Sequence, residues 1–405
     1  MKPWASEAVR VLDPPPTPGA IRSVYVHAPF CTRRCFYCDF AVRVATADCG
    51  AWLSALTAEV RALEREGVFV LDDTLDTLYV GGGTPSLLGA QAMEGLSNVI
   101  GEERIRRSEL EWTAEANPES FTQEVAKGWR SSGVNRISLG IQSFHAPSLR
   151  WMGRLHGAEG ARSAVQIARA EGFANLSVDL VFGLPAHLER DWQRDLDETL
   201  SLDPDHVSLY GLSAESATPL GRAVAEGSET LPSEEQYEQE YLLAVDKMSR
   251  AGFEAYEVSN FARAGFASRH NSVYWSGEPY VGLGNGAHSY RHPVRRWNTR
   301  DWDAYRTGTE GPGPPVEDEE ELDVGKIRLE RIWLGLRTRR GISLQDLPSP
   351  ARHRAARWEE SALAVAEENV VRLTPRGWLL MDRLTLEMEA DLEGVIATAA
   401  VSRYF

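Results

Sequence analysis

Tyr25-Val26-His27-Ala28-Pro29-Phe30-Cys31-Thr32-Arg33-Arg34-Cys35-Phe36-Tyr37-Cys38-Asp39-Phe40 places three of the chain's four cysteines within eight residues, directly after an apolar run that reads as a strand. Gaps of three and two residues let one loop wrap its thiolates round a single centre, so Cys31, Cys35 and Cys38 read as ligands of a metal or an iron–sulfur cluster. No fourth ligand stands close by. Three cysteines on a four-iron cluster leave one iron free to bind something else, as an open position does on a catalytic metal. A zinc site completed by His27 meets the same spacing. Cys49 stands apart and reads as an ordinary buried cysteine.

Outward from this loop, strand-like runs at 23–27, 75–80, 110–115, 136–140, 176–181 and 206–210 alternate with helical ones. The first helix carries Trp52, Leu56, Val60 and Leu63 on one face; others follow Gly89, begin near Ser120, and occupy 158–171, 189–200 and 233–250. Six strand–helix units imply a parallel sheet with helices outside, because parallel strands need crossover connections. The cysteine loop, Gly81-Gly82-Gly83, Glu115, Gln142 and Asp179 all fall at or just beyond C-terminal strand ends, the rim where barrel enzymes gather their chemistry. The fold class expected is therefore α/β, a partial six-unit barrel. It is followed by a smaller helical, winged-helix-like domain.

The expected organisation is an extended, proline-rich lead-in at 1–20, the barrel at 21–260, an aromatic- and glycine-rich segment at 261–307, a linker at 308–321 and the C-terminal domain at 322–405. Acidic side chains outnumber basic ones 59 to 43, a formal net charge of -16. Phosphate backbones and anionic membrane surfaces are repelled overall, which argues against nucleic acid as a partner. No apolar run is long enough for a membrane helix and the N-terminus has no signal-like core, so the expected location is the cytoplasm. Three crowded cysteines of four do not make a secreted disulfide framework.

Gly81-Gly82-Gly83-Thr84-Pro85 ends a strand where missing side chains let a ligand approach the backbone. Glu115, Gln142, Arg154 and Asp179 each read singly as a cap or loop ion pair; together on one rim they could hold an amino-acid zwitterion, a ribose and an adenine. His270, in the aromatic segment with Asn271 and Tyr274, reads either as a hydrogen-bonded structural histidine or as an axial ligand to haem iron.

The loop at 25–40 resembles the radical-SAM signature of the oxygen-independent coproporphyrinogen III oxidase superfamily. The resemblance extends through Gly81 to Ser86, Glu115 to Pro118, Gly133 to Phe144, Gly153 to His156, Asp179 to Pro185 and Tyr256 to Ala262, covering about residues 22–340. Within the superfamily it is similar to the haem-chaperone branch. The oxidase pattern continues Cys-x-Cys after the third ligand where this chain has Asp39-Phe40, and 269–275 matches the chaperones' His-Asn-x-x-Tyr motif. The resemblance implies an incomplete (βα)6 barrel in which Cys31, Cys35 and Cys38 ligate a 4Fe-4S cluster. It further implies that Tyr25, Tyr37, Gly82, Gly83, Thr84, Glu115, Gln142, Arg154 and Asp179 hold S-adenosylmethionine (SAM). Haem is expected at His270, Asn271 and Tyr274, for delivery to acceptor proteins, respiratory ones among them. The alternative it leaves open is an enzyme that decarboxylates coproporphyrinogen III oxidatively, or a related radical-SAM enzyme.

Overall fold

Period-two alternation organises the strands. β1 (Ser23–Ala28), β2 (Thr77–Gly82), β3 (Glu111–Ala116), β4 (Arg136–Gln142), β5 (Asn175–Phe182) and β6 (His206–Gly211) each send apolar residues one way and polar ones the other. Val24, Val26, Leu78, Val80, Trp112, Ile137, Leu139, Leu176, Val178, Val207 and Leu209 are all buried. They meet the apolar stripes of α1 (Cys49–Glu66), α2 (Ala92–Ile100), α3 (Gln123–Ser132), α4 (Gly157–Ala170), α5 (Trp192–Ser201) and α6 (Glu234–Arg250). The opposite face carries Tyr25, Thr77, Tyr79, Glu115, Ser138 and Asp179, so the inside of the sheet is polar. The computed structural model describes residues 7–13, 19–105, 109–345 and 347–401. The proline run of the expected lead-in, at 14–18, and the first six residues lie outside the described residues.

All six strands pair in parallel in sequence order. Beyond them, β7 (Glu254–Glu257) and β8 (Asn260–Ala262) form a hairpin whose β8 runs antiparallel to β6. After α7 (Arg269–Ser276), a short strand, β9 (Val281–Leu283), returns parallel to the outer side of β1. The nine-stranded sheet thus runs β9-β1-β2-β3-β4-β5-β6-β8-β7 and does not pair end to end, a barrel left open.

The expected linker at 308–321 is in part a strand. β10 (His288–Arg291), β11 (Val294–Asn298) and β12 (Val316–Glu321) form an antiparallel sheet, with α8 (Trp302–Gly308) between the last two. Composition alone reads β12 as solvated acid; its register places Glu320 opposite Arg295 and Glu319 opposite Arg296, and opposite charges facing across strands stabilise the pairing. The C-terminal domain then packs α9 (Val324–Arg337), α10 (Ser349–Glu360) and α11 (Met381–Val401) around the three strands β13 (Ile342–Ser343), β14 (Ala364–Glu367) and β15 (Val370–Leu373), a winged-helix-like arrangement.

One buried carboxylate ties these layers together. Glu59 of α1 accepts hydrogen bonds from Tyr305 Oη (2.6 Å), the Gly284 N–H (2.8 Å) and Asn298 Nδ2. Burial outweighs these donors and pushes its carboxyl up to about 7 from the usual 4.5. The folded state therefore holds a proton that the unfolded chain has already released at intermediate pH. Stability from this group is complete below the unfolded pKa and falls as pH rises to the folded one. Wild type should lose about 3 kcal/mol relative to Glu59→Gln between pH 4.5 and 7.5 in urea unfolding. Parallel pH profiles for the two proteins would refute this.

Candidate functional site

A cavity of about 360 Å³ opens at the C-terminal rim of the six strands. Cys31, Cys35 and Cys38 all line it, as do Tyr37, Gly82, Gly83, Thr84, Glu115, Gln142, Arg154 and Asp179. Residues separated by up to 148 positions in sequence are brought together because most of them end a strand or stand in the loop after it, while Asp179 faces the cavity from within β5 and Arg154 follows the helical turn Ala146–Met152.

Local backbone geometry aims several of them. Gln142 has φ 67 at the end of β4, beside an irregularity in the pairing with β5, so the strand breaks where its side chain enters the cavity. Gly81 to Gly83 present bare backbone. A Cβ on Gly81 would lie 2.7 Å from Glu115 Oε1, and one on Gly83 2.8 Å from the Ala28 and Phe30 carbonyl oxygens. The Gly82 N–H donates to Glu115 Oε2 (3.0 Å) and Tyr79 Oη donates to Oε1 (2.7 Å). Burial still pushes the Glu115 carboxyl up to about 7, with Asp179 adding to the rise. Asp179 accepts from Ser138 Oγ at 3.0 and 3.2 Å, and burial raises it too.

Arg154 reaches the same space. Its Nη2 donates to Asn117 Oδ1 (2.7 Å) and to the Gly140 carbonyl, and Nη1 lies 3.9 Å from Cys35 Sγ. Its Nε is buried without a partner. Burial pushes the Cys31 thiol up to about 11, against the hydrogen bond with Thr84, and raises Cys38 as well. A metal centre displaces such protons outright. The three thiols share the cavity wall; among the described residues no group of three or more His, Cys, Asp or Glu side chains is gathered as a single metal ion requires. His27, the fourth ligand of the zinc alternative, has both nitrogens engaged, Nδ1 with Tyr25 Oη (3.0 Å) and Nε2 with the Ala41 carbonyl (2.9 Å), and is held neutral by burial.

A thiol trio, a side-chain-free turn, two buried carboxylates and a partly unpartnered guanidinium fit a cluster with SAM beside it: the carboxylates match ammonium and hydroxyl groups, and the guanidinium a carboxylate.

Two groups of expected residues lie elsewhere. Tyr25 is not brought to this cavity; its hydroxyl is bound to His27 and its ring faces Tyr79. His270 is buried on the inward face of α7, at the opposite end of the strands from the cysteine loop. Its Nδ1 pairs with Thr77 Oγ1 (2.8 Å) and Nε2 with Tyr274 Oη (2.8 Å), and its ring stacks on Tyr79. Burial lowers its pKa to about 3. Iron ligation through Nε2 of His270 would require breaking the bond to Tyr274, and the residue does not line the rim cavity. Glu111 fixes the start of α7, accepting from the Arg269 and His270 N–H groups at 3.0 Å each.

The sequence reading missed Asn117, Glu119 and Tyr210, all in the cavity wall; Asn117 and Tyr210 carried a usable signal, standing at strand ends. It also missed a second cavity, of about 570 Å³, between β1, α7, the β10–β11 hairpin and α9. Tyr274, Trp275, Tyr280, His288, Tyr290, Arg295, Arg300 and Trp333 line it, and Asp39 and Phe40 line both cavities.

An open (βα)6 barrel with this rim defines the class, a radical SAM protein; the pattern of the Radical SAM superfamily matches residues 25–199. Among curated proteins the chain is 36% identical over 371 residues to the heme chaperone HemW of Mycobacterium tuberculosis, covering 91% of this chain and 94% of that protein. It is 35% identical over 326 residues to the heme chaperone HemW of Bacillus subtilis, covering 80% and 85%. The chain belongs to the HemW family. Among solved structures, coproporphyrinogen III oxidase (HemN) from Escherichia coli shares the fold, with a TM-score of 0.75 at 20% identity over 91% of this chain and 90% of that one. Family membership implies a 4Fe-4S cluster and SAM as cofactors. Among the described residues no helix is long and apolar enough to cross a membrane.

Proposed function

We propose that the protein is a haem carrier of the cytoplasm that binds haem, keeps a cluster and SAM in the rim cavity, and hands its cargo to acceptor proteins, respiratory haem proteins among them. The observation that carries this reading is the pairing of two cavities across one wall: a rim cavity with the thiols and carboxylates, and an aromatic one large enough for a porphyrin-sized ligand. Cys31, Cys35 and Cys38 would hold the cluster. Tyr37, Gly82, Gly83, Thr84, Glu115, Gln142, Arg154 and Asp179 would hold SAM, with Glu115 and Asp179 accepting from its polar hydrogens and Arg154 meeting its carboxylate. When bound, the cluster supplies one-electron reducing chemistry next to a sulfonium. The chain's own part is to orient these groups in a sparsely solvated space.

Haem titration of the anaerobically reconstituted protein, followed by mixing with an apo-haem protein, tests the reading. Stoichiometric haem uptake and transfer is expected; no haem absorbance on titration would overturn it. Coproporphyrinogen III decarboxylation in an anaerobic assay with SAM and reductant would favour the oxidase reading instead.

A further inference from the structure

We propose that haem sits in the second cavity with the imidazole of His288 as its axial iron ligand and the guanidiniums of Arg295 and Arg300 meeting its propionates. The assignment deepens the haem-carrier reading and rests on it. His288 begins β10, pairs with Trp297 across the hairpin and stacks on it, centroids 5.7 Å apart and rings 25° from parallel. Its ring is exposed at the cavity, and neither nitrogen has a hydrogen-bond partner among the described residues. That sets it apart from His27, His206 and His270, each of which has both nitrogens engaged.

Alternation along the hairpin puts His288 and Tyr290 on one face with Arg295 opposite Tyr290, while Ser289, Arg296 and Asn298 point into the core. One face of one hairpin therefore offers a ligand for iron and a cation for a carboxylate. Arg295 contacts Glu330, and Arg300 contacts the carbonyl and, at 3.1 Å, the carboxylate of Asp39. A guanidinium carries several N–H donors in a planar fork, so each retains donors for an incoming carboxylate. The walls facing them are the rings of Tyr274, Trp275, Tyr280 and Trp333, surfaces suited to a flat conjugated macrocycle.

Three other candidate ligands in this cavity are less free to bind iron. Tyr274 Oη is bonded to His270, the Tyr280 phenol is pushed up to about 12 by burial and stays protonated, and His27 is closed off by its two hydrogen bonds. The His288 imidazole is lowered by partial burial and by Arg295 and Arg300, which leaves a neutral lone pair at physiological pH.

The test is a ferric haem titration of the full-length wild type, His288→Ala and His270→Ala. Circular dichroism confirms the fold of each; the exposed His288 ring makes its truncation a mild change. The His288→Ala dissociation constant should rise at least about tenfold, with loss of the imidazole-ligated Soret band, and added free imidazole should restore that band. His270→Ala should keep the wild-type band. For the cations, wild type should prefer haem over its dimethyl ester, and Arg295→Ala should narrow that preference. A His288→Ala spectrum and affinity matching wild type would overturn this assignment while leaving haem carriage standing. Wild type that takes up no haem would remove both.

Discussion

Cys35→Ser is expected to yield a folded protein that reconstitutes essentially no cluster. Cys35 sits half-buried in a loop on the rim, and its thiol's one polar contact among the described residues is the 3.9 Å approach of Arg154 Nη1. The packed core, with Trp52, Trp112 and Trp129 fully buried, lies on the far, helix-facing side of the strands. Compared as apoproteins, wild type and variant should therefore differ by no more than about 0.5 kcal/mol in unfolding. Iron and labile sulfide should fall to background, because a thiolate ligand is replaced by a hydroxyl that stays protonated and binds iron poorly. A variant retaining full iron and sulfide would remove Cys35 from the ligand set; one that fails to fold would make the loop structural.

Gly82→Ala is expected to damage the rim severely through a single added methyl. The added Cβ would lie 2.3 Å from His27 Cε1 and Nδ1, and Gly82 has φ 107, a conformation that side-chain-bearing residues rarely adopt. The imidazole cannot swing aside without breaking its bonds to Tyr25 and Ala41. Backbone strain and overpacking together should cost about 2–5 kcal/mol. The shift would also pull the Gly82 N–H from Glu115, so SAM affinity should drop even where the protein folds. Urea unfolding and SAM titration by calorimetry check the two effects separately. A variant as stable as wild type would mean that the β2 terminus yields more easily than its contacts indicate.

The sequence disclosed those parts of the molecule that local pattern controls. Val24 and Val26, Leu78 and Val80, and Leu176 and Val178 alternate with polar neighbours, and every barrel strand was readable from such pairs. The rim was readable because Gly82, Glu115 and Gln142 sit at or next to the end of a strand, while Asp179 faces the same space from within β5. What escaped depends on partners remote in the chain. His270 is turned inward by Thr77, 193 residues away, and by Glu111 at the start of its helix, 159 residues away. Its motif alone gives no sign of that orientation. β12 was hidden by its own acidity, since its strand character comes from arginines on β11. The second cavity is assembled from a barrel strand, a hairpin and two helices, and no single segment announces it.

Asp39 and Phe40 border both cavities, and the Phe40 ring is 64% exposed, anchored on neither side by the core. A guest in one chamber that leans on this party wall alters the room left for a guest in the other. Thermodynamic reciprocity then demands that whatever factor SAM imposes on haem affinity, haem imposes on SAM affinity in equal measure. The nucleotide side could thus act as a latch on the cargo without any bond being made or broken, its grip set by how far one phenyl ring is allowed to tilt.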